Sequence, residues 1–197
     1  MSRSDGRIVV CGIAGSLRRG SFNRALLRAA QQLAPENMEV RVFDRMAEIP
    51  LFNQDVEAEG DPEPVQALKR AIAEADALLI ATPEYNHGVP GVLKNALDWA
   101  SRPPGGSVLA GKPAAILGAS PGITGTARAH SQLRQAFVFT DTAALPQPEI
   151  LVYRAHEKFD ADGRLTDERT REFVGKLLQD LADWTHRLSR TRKSPSS

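Results

Sequence analysis

Residues 7–30 read "RIVVCGIAGSLRRGSFNRALLRAA". The apolar run 8–13 shows no polar alternation, which predicts a strand buried on both faces of a parallel sheet. Beyond it, Phe22, Leu26, Leu27, Ala30, Leu33 and Ala34 fall on one helical stripe. At the junction, a loop with Gly15 and Gly20 carries Ser16, Arg18, Ser21 and Asn23, all hydrogen-bond donors. A strand entering a helix through such a loop sets the donors at a helix N-terminus, where a partial charge of about +0.5 attracts anions. A phosphate monoester needs about this many donors, and Arg18 can pair with it bidentately.

Spelling separates this loop from other anion loops. Gly15 and Gly20 have the Walker spacing, but Ser21 stands where lysine belongs. Gly12 and Gly15 are too far apart for the dinucleotide G-x-G fingerprint. A low-mass phosphatase loop opening at Cys11 would need arginine where Leu17 stands. The plainer alternative is a surface turn in which Ser21 caps the helix.

The same rhythm continues along the chain. Further strands are expected at 38–44, 76–83, 112–120 and within 142–152, and helices at 62–75, 91–101, 124–139 and 166–188, the last with Thr166 as N-cap. Its apolar stripe runs Phe173, Val174, Leu177, Leu178, Leu181, Trp184 and Leu188. Strands alternating with helices imply parallel pairing through right-handed crossovers and a three-layer α/β sandwich. Residues 45–62 form a long, polar, irregular arm, and the basic, serine-rich stretch 190–197 is expected to be disordered. One domain is expected over 1–189, since no linker or repeat divides it.

Composition narrows the function classes. The 197 residues carry 42% hydrophobic and 25% charged residues, with formal net charge +1, so neither a nucleic-acid footprint nor an acidic carrier surface is implied. No apolar run approaches the roughly 20 residues that span a bilayer. The opening "MSRSDGR" has no signal-peptide stretch, and Cys11 is the only cysteine, so a reducing, cytoplasmic setting is expected. Cys11 itself reads as a core residue. No cluster has metal-ligand spacing, so no metal site is expected.

Two more loops follow strand ends, where doubly wound sheets bind ligands. "TPEYNHGVPG" (82–91) is stiffened by two prolines and can offer backbone groups to a flat heterocycle, with Tyr85 fencing it; His87 taken alone reads as a solvent-facing loop residue. "GASPGITGTARA" (118–129) brings Ser120 and Gly122 before another helix.

"GSLRRGSFN", "ATPEYNHGVPGVLKNALDWASRP", "LGASPGITGTARA" and, in the arm, "IPLFNQD" resemble the NADPH-dependent FMN reductase family, which includes quinone, chromate and azo reductases. The resemblance covers most of residues 7–152. It implies a flavodoxin-like fold with strand order 2-1-3-4-5 and non-covalent FMN. Ser16, Arg18, Ser21, Phe22 and Asn23 would then hold the FMN phosphate and ribityl neck. Pro83, Glu84, Tyr85, Asn86, His87 and Gly88 would line the ring, and Ser120 and Gly122 would meet its pyrimidine side. The helix starting near Thr124 would aim its positive end at the ring.

The resemblance also implies NADPH or NADH as co-substrate and a small-molecule acceptor, alternating at one face in ping-pong fashion. No side chain need act as acid or base. Arg18, Arg19 and Arg102 are candidates for the 2′-phosphate of NADPH. A homodimer or homotetramer is implied, with the arm as a contact segment and acceptor preference depending on His87. The alternatives are a flavodoxin-like electron carrier without nicotinamide activity, against which the near-neutral charge and Arg18 speak, and a nucleotide- or phosphosugar-binding regulator.

Overall fold

The computed structural model describes residues 6–191. The first strand, β1 (Ile8–Ala14), is buried along its whole length. It pairs in parallel with β2 (Met38–Phe43) on one side and β3 (Ala77–Ala81) on the other. β4 (Pro113–Ala119) follows β3, and two short strands, β5 (Ala143–Ala144) and β6 (Ile150–Val152), pair in turn along β4. The sheet order is β2-β1-β3-β4-β5, with β6 continuing the last position.

The expected fifth strand is therefore broken in two. "LPQP" (145–148) lies between β5 and β6, and neither Pro146 nor Pro148 has an N–H to give to a ladder.

Helices cover both faces. α1 (Phe22–Leu33) and α6 (Glu168–Thr191) pack on one side through Leu26, Leu27, Val174, Leu178 and Leu181. α3 (Glu63–Glu74), α4 (Gly91–Ala100) and α5 (Ala127–Thr140) cover the other through Val65, Leu68, Leu93, Trp99, Leu133 and Phe137. The α/β, flavodoxin-like three-layer sandwich is as expected.

Several details differ from the sequence expectation. The arm is ordered: a 3-10 turn at Met46–Glu48 and a helix α2 (Gln54–Glu59) occupy it, and Asn53 caps α2. α4 holds it down. Asn95 accepts from Phe52 N at 2.8 Å and donates to the Pro50 carbonyl at 2.9 Å, and Trp99 Nε1 donates to that carbonyl at 2.8 Å. α6 is capped by Asp167 rather than Thr166: the Asp167 carboxylate takes Thr170 N at 2.9 Å, while the Thr166 hydroxyl turns to the Lys158 carbonyl. Phe173, expected inward, is exposed. Arg190 and Thr191 belong to α6, not to a tail; the rest of the expected tail lies outside the described residues. Cys11 is buried in the strand, which pushes its thiol up to about 12 and leaves it inert as a nucleophile.

Candidate cofactor site

The register Ala14–Ala81 and Ala81–Leu117 aligns the carboxyl ends of three strands. The loops that leave them, 15–21, 82–90 and 120–126, therefore rise side by side. The ladder continues into their bases, Gly15 N donating to Ala81 O at 2.8 Å and Thr82 N to Leu117 O at 2.9 Å.

In the first loop, Ser16 is buried while Arg18 is exposed. The Ser16 hydroxyl lies 3.4 Å from that of Tyr85, which ties the first loop to the second. Ser21 does cap α1, accepting from Asn23 N and Arg24 N at 3.2 and 3.4 Å. Its own O–H remains able to donate outward. The capping reading and the anion-binding reading are thus both compatible with one hydroxyl. Phe22 rests 5.4 Å from Phe159, and the Arg18 guanidinium stands 5.8 Å over its ring.

No carboxylate occurs between residues 15 and 35, so the donors of this loop have no acidic side chain of their own segment to satisfy them. A donor set of this kind fits the terminal phosphate of FMN.

Asn23 is arranged differently from its neighbours. Its Oδ1 accepts from Ala119 N at 2.9 Å and its Nδ2 donates to Ala119 O at 2.8 Å. The side chain is buried and clasps the end of β4 to the start of α1. This makes it the bolt between the first and third loops.

The second loop closes as a tight turn. Tyr85 and Gly88 exchange backbone hydrogen bonds of 3.1 and 2.9 Å. Asn86 and His87 between them both have positive φ, 49° and 63°, the requirement of a type I′ turn. Asparagine tolerates that region well; histidine does so at some cost, a form of strain found at binding sites.

A helix supports the turn from behind. Val89 N donates to Gln132 Oε1 at 2.9 Å, and a Cβ at Gly88 would lie 2.8 Å from that oxygen, so Gly88 admits the buttress. Gln132 was not singled out from the sequence; its only signal is its place on α5 opposite the loop.

Glu84 is the other brace. Its carboxylate, nearly enclosed, accepts from Arg128 N at 2.9 Å, from Ala129 N at 3.2 Å and from the Arg128 guanidinium at 3.3 Å. It caps α5 from another loop. Burial disfavours its charge, but the two amides and the guanidinium outweigh burial and hold the carboxyl below its usual range. The helix begins at Ala127, not near Thr124, and its first free amides are spent on Glu84. The expectation that α5 aims its positive end at the ring is corrected accordingly.

Replacing Glu84 by glutamine keeps the shape and removes the charge. The substitution is expected to cost about 1 kcal/mol of stability, from the loss of a charge-assisted cap. It should loosen the turn that carries Tyr85. Urea unfolding, read beside the FMN dissociation constant, checks both.

In the third loop, Ser120 N donates to Val152 O at 2.9 Å and the Ser120 hydroxyl accepts from Gly122 N at 3.1 Å. Leu17, Tyr85 and Ile123 expose apolar surface, one from each loop.

Beneath these loops lies His130, fully buried, with neither ring nitrogen in a well-formed hydrogen bond among the described residues, although the Leu117 backbone is near enough to favour its protonated form slightly. Burial above all, then the Arg134 charge, lowers its pKa to about 4. The unfolded side chain titrates near 6.5, so the neutral ring contributes stability that is full above that pH and lost as pH falls through 4. The loss amounts to roughly 3 kcal/mol. His130→Leu should flatten this acid limb in denaturant midpoints taken at neutral pH and near the folded pKa; an unchanged limb would refute the assignment.

Other expected residues are accounted for elsewhere. Arg102 is spent on Glu57, at 3.0 Å from both carboxylate oxygens, and stands 5.9 Å over Phe52. Arg19 is exposed within the first loop. Among the described residues no helix is long and apolar enough to cross a membrane.

The profile described as NADPH-dependent FMN reductase matches residues 8–157. An NAD(P)H-dependent FMN reductase of Pseudomonas aeruginosa is 52% identical over 92% of this chain and 97% of its own length. A quinone reductase of Escherichia coli K12 is 40% identical over 92% of this chain and 97% of its own. Among solved structures, a flavoenzyme NAD(P)H:(acceptor) oxidoreductase of Paracoccus denitrificans superposes with TM-score 0.83 at 38% identity, covering 91% of this chain and 98% of that one. An FMN-dependent azoreductase of Bacillus anthracis, solved with FMN, shares the fold at TM-score 0.54 and 14% identity, over 93% of this chain and 99% of its own. Matched over residues 8–157 and 40 to 52% identical to these bacterial reductases along nearly their whole length, this chain belongs to the NADPH-dependent FMN reductase family.

Proposed function

We propose that the chain uses FMN to carry electrons from NADH or NADPH to a quinone, free flavin or similar flat acceptor, the two half-reactions alternating at one open face. The observation that carries this reading is the donor loop 15–21, free of carboxylates and hydroxyl-linked to Tyr85 of the loop that offers a flat backbone surface. FMN, when bound, supplies a ring that accepts hydride and gives up electrons in pairs.

The chain's own part is positioning. Ser16, Arg18 and the Ser21 hydroxyl would bind the phosphate, with Phe22 beside the neck. Asn23 belongs to the same cradle as the bolt that fixes it to β4. Residues 83–88 would present backbone groups to the ring, Ser120 and Gly122 its pyrimidine edge. The exposed apolar groups Leu17, Tyr85 and Ile123 would favour an aromatic acceptor over water at the open face.

A homodimer or homotetramer in the cytoplasm completes the reading. Leu51 on the tethered arm and Val138 and Phe139 on α5 are strongly exposed apolar residues, and oligomer contacts would cover them. Residues 6–191 act as one unit in this reading, since both core clusters share one sheet.

The test is a steady-state assay of the FMN-loaded protein with both nicotinamides against quinones, free flavin, chromate and an azo dye. Rapid bleaching of bound flavin by NAD(P)H and reoxidation by a quinone are expected. Flavin that binds but is not bleached would make the chain a carrier. Arg18→Ala should weaken FMN binding by about tenfold or more, one charge-assisted phosphate contact being lost.

A further inference from the structure

Beside the first loop a pocket of about 220 Å3 runs along α1. Arg19, Ser21, Phe22, Ala25 and Arg28 form one wall and the turn 160–163 the other. Phe22 and Ala25 give it an apolar floor. Arg19 and Arg28 are exposed and have no hydrogen bond or ion pair with any carboxylate among the described residues. Arg28 lies against the opposite wall: a Cβ on Gly163 would stand 3.1 Å from its Nη2, so glycine there leaves the guanidinium its place.

The two aspartates of that wall are largely turned to their own segment. Asp160 Oδ1 accepts from Asp162 N at 3.0 Å and Arg164 N at 2.8 Å, and Asp162 sits 3.9 Å from the Arg164 guanidinium. The pocket thus pairs two uncommitted cations with an apolar floor and, at Asp162, an acceptor suited to a ribose diol. That is the recognition chemistry of a nucleoside phosphate.

Its position adds the second half of the argument. Ser21 belongs both to this pocket and to the proposed phosphate cradle, so the pocket begins where the FMN phosphate would end. A group attached to that phosphate would run into it. We propose that the pocket receives the adenosine 5′-phosphate half of FAD, so that the chain takes FAD as well as FMN. This rests on the FMN reading above.

The experiment titrates the flavin-free protein with FMN, FAD and AMP, by flavin fluorescence and calorimetry, for the wild type and the variants Arg28→Gln and Arg28→Glu. The Arg28 side chain is exposed and outside the phosphate loop, so folding and FMN binding should be unaffected. FAD should bind at least as tightly as FMN. Arg28→Gln should weaken FAD severalfold and Arg28→Glu by about tenfold or more, while both leave FMN within about twofold. AMP should displace FAD and leave bound FMN in place.

FMN binding with FAD excluded, or variants that leave FAD affinity unchanged, would overturn the proposal. So would variants that raise only the KM for NADPH, which would assign the pocket to the co-substrate. Failure of FMN itself to bind would instead remove the function proposed above, and this inference with it.

Discussion

Gly118→Ala is expected to destabilise the protein by at least about 3 kcal/mol and to abolish tight FMN binding. A Cβ there would overlap the Thr126 hydroxyl, lie 2.9 Å from Thr126 Cβ and lie 2.5 Å from the Thr82 carbonyl oxygen. A Thr126 rotamer change clears only the first of these contacts. Thr82 is the base of the loop that carries Tyr85, and Thr126 is the N-cap of α5. Relief must therefore push the second and third loops apart, which is the movement the site tolerates least. Gly122→Ala is the control: its Cβ would meet only Ser120 Oγ, at 3.5 Å. It should leave the urea midpoint nearly unchanged. Equal effects for the two variants would show that the crowding at Gly118 is relieved without moving the loops.

Asn23→Ala removes both ends of the clasp on Ala119 and leaves a buried N–H and C=O without partners, a cost of about 4 kcal/mol by the usual penalties. FMN affinity should fall with stability, because the first loop then floats against β4. Asn23→Asp sharpens the test. Its carboxylate can accept from Ala119 N but faces the Ala119 carbonyl oxygen, and it sits beside a loop built for an anion. At neutral pH it should bind FMN worse than the alanine variant. Acidification protonates the acid and restores a donor to Ala119 O, so the stability deficit relative to the wild type at the same pH, in which the His130 acid limb cancels, should narrow as pH falls. A deficit that does not narrow on acidification would argue that the clasp is dispensable.

Much of this was legible in the residues. The unbroken apolar runs of β1, β3 and β4 could only be central parallel strands, because no polar alternation marks a wet face. The stripes of α1, α3 and α4 follow from spacing alone. The first loop stands out by residue type, two serines and an arginine crowded at a strand–helix junction, and the structure does place it there, with Ser21 capping the helix.

The errors occurred where a residue's partner is remote in sequence. Thr166 and Asp167 are both good caps, and the choice fell to Asp167 because Lys158 and Thr170 converge on its carboxylate. Phe173 obeys the helical stripe yet lines an open groove with residues 147–153, where the Arg169 guanidinium stands 5.6 Å over its ring. The arm reads as irregular because its order comes from Asn95 and Trp99, more than forty residues away.

By itself, the sequence determined the layers and the strand-end position of the three candidate loops, since periodicity and residue type are local properties. The tertiary structure alone decided what Glu84, Asn23 and Gln132 do. Each spends its hydrogen bonds on backbone 43 to 96 residues distant, and only the folded sheet brings such groups within reach. Periodicity carries no record of those partners, because a hydrogen bond depends on position in space and the pattern records only position in the chain.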